Sequence, residues 1–201
     1  TNIAVFEEGE LYHTAFIPIG AGKITEDLAI VLKTSIEAAE KVKIEHGAAT
    51  TKHVSERDSV DLSELDPDGG KAFYSKKFIV EVINARLEEI FMMVKDELRK
   101  IERDGLLPAG AIITGGGAKT EDIAEVAKET LRLPAQVGKT IESIMAIEKD
   151  IINDATYTTA IGLALWGYEL SKEKMLMSGI LDGFKGVSGM IGKFGGIFKK
   201  K

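Results

Sequence analysis

Glu40 and Lys43 lie three residues apart in the run Ser35-Ile36-Glu37-Ala38-Ala39-Glu40-Lys41-Val42-Lys43-Ile44, a spacing that puts both on one face of a helix. On such a face a carboxylate can accept ribose hydroxyls while a lysine stem packs beside a base. The same two residues can equally form a solvated ion pair. Gly115-Gly116-Gly117-Ala118 is the second candidate. Glycines let the backbone approach a ligand without Cβ interference, and a helix N-terminus beyond them favours a phosphate, although a mere tight connection would use the same residues. This turn is not a dinucleotide fingerprint, because Thr120 stands where the third glycine is needed, and no P-loop lysine–serine pair occurs. His13, His46 and His53 lack metal-ligand spacing and are expected at the surface or satisfied in the core. Asp66-x-Asp68-Gly69 begins like a calcium loop, but Gly70 and Lys71 break the pattern, so a turn over 66–70 is expected. No catalytic residue and no metal site is assigned.

These residues need elements to hold them. Ile3 and Val5 alternate with Ala4 and Phe6; a turn at Glu7-Glu8-Gly9-Glu10 and a β-rich run from Leu11 to Ile19 complete a hairpin, closed by Pro18 and Gly20 to Gly22. From Thr25, read as an N-cap, Leu28, Val31, Leu32, Ile36, Ala39 and Val42 recur at helical spacing until the C-cap Gly47. That is one bent helix or two joined near Thr34-Ser35. Residues 50–66 alternate weakly, as short edge strands do. Ser75 to Arg103 is a long amphipathic helix, capped by Ser75, with Phe78, Val82, Ala85, Ile90, Val94, Leu98 and Ile101 on its apolar side. A strand at 111–114, the glycine turn, a helix from about Thr120 to Leu131 and a strand at 133–137 make a strand–turn–helix–strand unit, the mark of an α/β domain. A last core helix is expected over Asp154 to Leu170, its small residues implying close packing.

Composition bounds the rest. At 201 residues, 44% hydrophobic and 29% charged with four prolines, the chain can bury a core and is not disordered. Zero cysteines exclude disulfides and thiol chemistry. The longest apolar run, Ala160 to Trp166, is broken by Gly162 and cannot span a bilayer. The opening at Thr1, on a strand already under way, predicts a fragment. A net charge of −6 conceals a basic end: beyond residue 170 there are seven lysines against Glu173 and Asp182. An acidic body points away from nucleic acid, and the basic end towards an anionic surface.

The order of these pieces resembles the actin-like ATPases. Thr1-Asn2-Ile3-Ala4-Val5-Phe6 resembles the end of their second phosphate-binding hairpin, Ala39-Glu40-x-x-Lys43 their nucleotide-contacting helix, Ile112-Ile113-Thr114-Gly115-Gly116-Gly117-Ala118 their adenosine motif, and Tyr157 to Ala164 their closing helix. Gly20-Ala21-Gly22-Lys23-Ile24-Thr25-x-Asp27-Leu28-Ala29, Ile83-x-Ala85-Arg86-Leu87-Glu88-Glu89-Ile90 and the C-terminus are most similar to the FtsA family of bacterial cell-division proteins. Asn2 stands where that pattern usually has aspartate.

The resemblance implies the second domain, in two subdomains, of the actin/hexokinase/Hsp70-like fold: a mixed sheet with flanking helices, followed by a C-terminal amphipathic helix. The expected divisions are 1–48 and 134–170 for the larger subdomain, 49–133 for the smaller, 171–179 for a linker and 180–201 for the membrane-targeting segment. It implies ATP, with Mg2+ in the full-length protein, contacted by Thr1, Asn2, Glu40, Lys43, Gly115, Gly116, Gly117 and Ala118. It implies filament self-association, an FtsZ C-terminal peptide bound through Arg86, and a place on the cytoplasmic face of the cell membrane at the division site. Arg86 has an alternative use in a salt bridge to Glu89. A pilus-assembly or shape-determining actin-like scaffold is the alternative for the whole chain. The fragment by itself is expected to lack ATPase activity.

The tail is legible without the resemblance. At 100° per residue Ile180, Phe184, Val187, Ile191, Phe194 and Phe198 fall near one line, while Lys193, Lys199 and Lys200 fall on the other side with Lys185; Ile197, off the line, is counted with the membrane-facing residues. Seven glycines, each costing about 1 kcal/mol of helix propensity, argue against a helix in water. An interface that buries the apolar stripe and attracts the lysines offsets that cost; a sticky unfolded end or a helix docked on a protein groove would share the pattern.

Overall fold

The computed structural model describes residues 1–63, 65–66, 73–139 and 149–172. Contacts divide the chain into two units, Thr1–Thr156 and Tyr157–Lys201. The first unit opens with an antiparallel hairpin, β1 (Asn2–Glu7) against β2 (Glu10–Phe16). Glu8 and Gly9 join them at φ +51° and +86°, the turn hand that suits strand twist. Val5 is buried beneath the hairpin, whereas Phe6 and Phe16 are exposed.

Two helices follow. α1 (Ala21–Leu32) ends where Lys33 turns left-handed at φ 53°, and α2 (Ile36–His46) restarts behind Ser35, whose hydroxyl accepts from the Ala38 N–H. The expected start at Thr25 is corrected: α1 begins at Ala21 behind Gly20, and Thr25 is buried within it. A capping role would need the hydroxyl at a free helix end, and here it faces α2. Val31 and Ile36, expected on the apolar face, are exposed; Ile24, Leu28, Leu32, Ala39 and Val42 make the contact.

α3 (Lys76–Lys100) is the long helix, preceded by Ser75, which makes no capping bond. Its buried face is Ile79, Ile83, Leu87, Ile90, Phe91 and Leu98, while Phe78 is 41% exposed and Ala85 lies at the surface. The expected stripe holds at Ile90 and Leu98, which are buried, and at Val82, Val94 and Ile101, which pack against the core; it is corrected at Phe78 and Ala85, which face solvent. α3 carries apolar residues around much of its circumference, so periodicity admits two stripes, and burial selects the one with the larger aliphatic area against α1.

The other strands are short. β3 (Ser59–Asp61) pairs antiparallel with β4 (Phe73–Ser75), and β5 (Ala111–Ile113) pairs parallel with β6 (Ala135–Val137) across α4 (Ile123–Leu131). The mixed strand pairing is thus distributed over three two-stranded ladders among the described residues. Of the turn expected at 66–70, residues 67–70 lie outside the described residues, and Asp66 accepts from the Thr34 hydroxyl and the Ser35 N–H, fastening the α1–α2 joint. Arg103 beyond α3 forks onto Glu7 at 2.5 and 3.1 Å and lies 4.9 Å over the Tyr12 ring, tying the hairpin to the helix end. Lys95 is buried, with its ammonium donating to the Thr130 carbonyl at 3.0 Å in the last turn of α4, where the helix dipole favours a cation. His13 departs from expectation in that its Nε2 is buried without a hydrogen-bond partner. α5 (Lys149–Asn153) closes the described part of this unit before the short turn Ala155–Tyr157.

In the second unit a helix, α6, spans 158–172. It buries Ile161 and exposes Leu163, Trp166, Tyr168 and Leu170. The Lys172 ammonium lies 4.6 Å over the Tyr168 ring. The tail residues Ile180, Phe184, Val187, Ile191, Lys193, Phe194, Ile197, Phe198, Lys199 and Lys200 lie outside the described residues.

Candidate functional site

Three separate pieces of chain meet around Ala21, the first residue of α1. From α2, the Lys43 ammonium donates to Glu40 at 2.6 Å, to the Thr25 hydroxyl at 2.8 Å and to the Ala21 carbonyl at 3.5 Å. The Thr25 hydroxyl in turn donates to the Glu40 carboxylate. From the glycine turn, Gly117 comes so close that a Cβ there would sit 3.1 Å from the Ala21 Cβ. From the hairpin, the Thr1 hydroxyl donates to the Ile19 carbonyl at 2.6 Å, beside Gly20. Tertiary structure therefore brings Thr1, Glu40, Lys43 and Gly117 to one corner. Asn2 is exposed on β1, paired in register with Phe16.

Glu40 and Lys43 are more than a solvated pair. The Lys43 side chain is only 13% exposed, against 43% for Glu40. Burial works against the charge on Glu40, but hydrogen bonds from Lys43 and Thr25 outweigh it and hold the carboxyl below its ordinary pKa. Glu40 is thus an exposed, ionised acceptor with its geometry fixed by two donors. It suits a hydroxyl-bearing ligand such as a ribose.

The glycine turn differs from expectation in its sequel. Gly115, at φ +90°, starts a single 3-10 turn over Gly116–Lys119, and α4 begins only at Ile123. The start of α4 is engaged elsewhere: Ala49 N–H donates to the Glu121 carbonyl and the Thr50 hydroxyl to Asp122. α4 therefore does not open onto the turn; the N-terminus of α1, at Ala21, lies against Gly117 instead, and the Gly115 N–H is committed to the Ala155 carbonyl at 3.0 Å. Ala118 is buried and Gly116 exposed. The turn is thus a small-residue surface set beside the start of α1. Lys119 fastens the turn from below, donating to Asp154 at 2.8 Å, and this bond with those from Thr156 holds the Asp154 pKa down to about 2.

Arg86 lies elsewhere, at a groove of about 330 Å³ between α1 and α3, lined by Asp27, Ile30, Val31, Val82, Ala85 and Glu89 with Arg86 itself. Its Nε and Nη2 fork onto Asp27 at 2.5 and 2.9 Å, and Nη1 donates to Glu89. Sequence reasoning anticipated the Glu89 pair and missed Asp27, 59 residues away. It also missed Thr25 at the corner. Both belong to Thr25-x-Asp27, two residues whose polarity inside an apolar helix start was the available signal. Among the described residues no group of three His, Asp or Glu side chains is placed to hold a metal ion, and no helix is long and apolar enough to cross a membrane.

An α/β domain in which a helix pair meets a glycine turn at one corner is the architecture of one half of an actin-like protein. The fold is similar to that of MreB5 of Spiroplasma citri, in structures bound to ADP and to AMPPNP: each has a TM-score of 0.61 over 86% of this chain, at 17% and 16% identity, covering 51% and 50% of the other chain. The sequence profile described as cell division protein FtsA matches residues 1–162. Cell division protein FtsA of Pseudomonas aeruginosa is 33% identical over 178 residues, and that of Borreliella burgdorferi 34% over 175; these alignments take in 89% and 86% of this chain. The chain belongs to the FtsA family of cell-division proteins. It spans 42% and 41% of the lengths of those two relatives.

Proposed function

We propose that the chain is the second-domain part of a membrane-attached, ATP-binding filament subunit that tethers FtsZ polymers to the cytoplasmic face of the cell membrane at the division site and recruits the division machinery. The observation that carries this reading is the convergence of Glu40, Lys43, Thr25 and Gly117 on Ala21 in a chain of the FtsA family. Adenosine fits that corner: Glu40 would take the ribose hydroxyls, the Lys43 stem and the glycine turn would flank the base, and ATP would supply the bound state that favours filament assembly. Mg2+ would enter with the phosphates in the full-length protein. The 201-residue chain by itself meets the adenosine side and is expected to bind ATP weakly and not to turn it over; low-micromolar affinity by calorimetry would contradict this. The peptide of FtsZ would use the smaller subdomain, 49–133, through Arg86 and the apolar groove beside it. Membrane attachment rests on the sequence pattern of residues 180–201.

Liposome co-sedimentation tests the attachment. Burying one apolar side chain is worth about 1.5–3 kcal/mol, so the chain should sediment with anionic vesicles and gain helical circular dichroism. Phe194→Glu/Phe198→Glu should stay in the supernatant. High salt should weaken binding only in part, since the lysine attraction is screened and the apolar contribution is not. Equal sedimentation of the double variant, or complete loss at moderate salt, sinks the anchor reading.

A further inference from the structure

The polar groups at the corner around Ala21 spend nearly all of their bonding capacity on one another. A lysine ammonium has three N–H donors, and those of Lys43 go to Glu40, to the Thr25 hydroxyl and to the Ala21 carbonyl. The Thr25 hydroxyl accepts from Lys43 and donates to Glu40. Both bonds to Glu40 fall on the same atom, Oε2. Its other oxygen, Oε1, has no hydrogen-bond partner among the described residues, and the side chain that carries it is 43% exposed. The corner therefore offers one unspent charged acceptor, while Lys43 has only its stem left to give.

Lys43 alone would not fix that acceptor. An i, i+3 ion pair between two long side chains on one helix is weak and leaves both free to reorient. Thr25 differs from it in every respect that matters for precision. It stands on α1, the neighbouring helix, and is 4% exposed. Its side chain is short and β-branched, with few rotamers to choose from. A stiff, buried donor on a second helix holds Oε2 in place, and the planar carboxylate carries that order to Oε1.

We propose that Thr25 is the positioning residue of the corner: by pinning Oε2 it leaves Oε1 as a fixed acceptor, and so sets the preference for a nucleoside whose sugar offers a hydroxyl there over one that lacks it. This rests on the adenosine reading above and adds what gives that site its selectivity. Thr25 touches no ligand and acts through Glu40 alone. No covalent step is involved.

Titrations of the 201-residue chain with adenosine and with 2′,3′-dideoxyadenosine, followed by NMR chemical shifts so that weak binding is measurable, give the selectivity as a ratio of dissociation constants. The parent should favour adenosine by about tenfold or more, the effect of a hydrogen bond to a charged acceptor. Thr25→Val keeps the shape and removes the hydroxyl, so its ratio should fall towards one. Thr25→Ser returns the hydroxyl and should recover most of the parent ratio. In a Glu40→Ala background Thr25→Val should change the ratio no further. Amide dispersion in the same spectra reports the fold, and Thr25→Ala serves as the hydroxyl-free chain should Thr25→Val not fold. A residue that only stabilised the packing would lower both affinities together; a Thr25→Val ratio equal to that of a discriminating parent therefore overturns the proposal and leaves the adenosine reading standing. A Thr25→Ser chain as unselective as Thr25→Val overturns it in the same way. A parent that binds both nucleosides equally overturns the acceptor role of Glu40 and the proposal with it, and a parent that binds neither overturns the adenosine reading itself.

Discussion

Two ion pairs grow from the same short helix and serve opposite ends. At the corner, Thr25 of α1 locks a pair made wholly within α2, Glu40 with Lys43. At the groove, Asp27, two residues further along α1, reaches across to Arg86 of α3. The first arrangement keeps the Glu40 carboxylate exposed, charged and fixed in place by two donors. The second uses three of the five Arg86 donors. A local pair braced by a third residue fixes a side chain within one corner, whereas a long-range pair joins two helices, so that breaking it also loosens the packing it spans.

The largest expected effect separates the groove from the core beneath it. Ile83→Ala on the buried stripe of α3 should cost about 2–5 kcal/mol of stability by urea denaturation. Val82→Ala, on the groove stripe, should cost about 1 kcal/mol or less and weaken peptide binding instead. Equal losses of stability would mean the two stripes are one core. Next, Arg86→Glu should cost on the order of 2 kcal/mol or more in peptide binding, since it replaces attraction by repulsion, and should leave nucleotide affinity unchanged; a parallel loss at the corner would show that α1 transmits between the sites. Thr25→Val should cost about 1 kcal/mol of stability by removing a hydroxyl that serves both Lys43 and Glu40. It should leave peptide binding alone, and a change there by anisotropy would blur the division.

The smallest effect is in acid. Asp154, held down from 3.8 to about 2 by Lys119 and Thr156, contributes stability that is fully present above pH 3.8 and is lost as pH falls through about 2. Glu40, also lowered, acts in the same direction. Asp154→Asn should therefore flatten the fall of unfolding free energy between those two pH values, and an unchanged slope would show that the latch under the glycine turn carries no weight.

The elements were legible wherever one local rule dominated. The hairpin turn at Glu8-Gly9, the joint near Thr34-Ser35 and the strand–turn–helix–strand unit around Gly115 all follow from short-range backbone preferences. Thr25 was misread for the same reason: a threonine ahead of two acids looks like a cap, and only the position of α2 reveals a buried hydroxyl with a carboxylate to serve. α3 exposed the limit of periodicity, because Phe78 and Ala85 share helical spacing with the core-packed Val82 yet face solvent, and how wide the buried face is depends on where α1 lies.

The sequence by itself determined the opening hairpin, the long α3, the strand–turn–helix–strand unit, the family, and the i, i+3 spacings that bring Glu40 to Lys43 and Arg86 to Glu89, since a helix converts such spacings into contacts without help from the rest of the chain. Only the tertiary structure decided that Gly117 lies against Ala21, that Thr25 completes the corner and that Asp27 occupies Arg86. Those contacts join residues 15 to 96 positions apart, and their geometry is set by how α1, α2 and α3 pack around Ile24, Leu28 and Ile83, a collective result of volume and burial that no local spacing encodes.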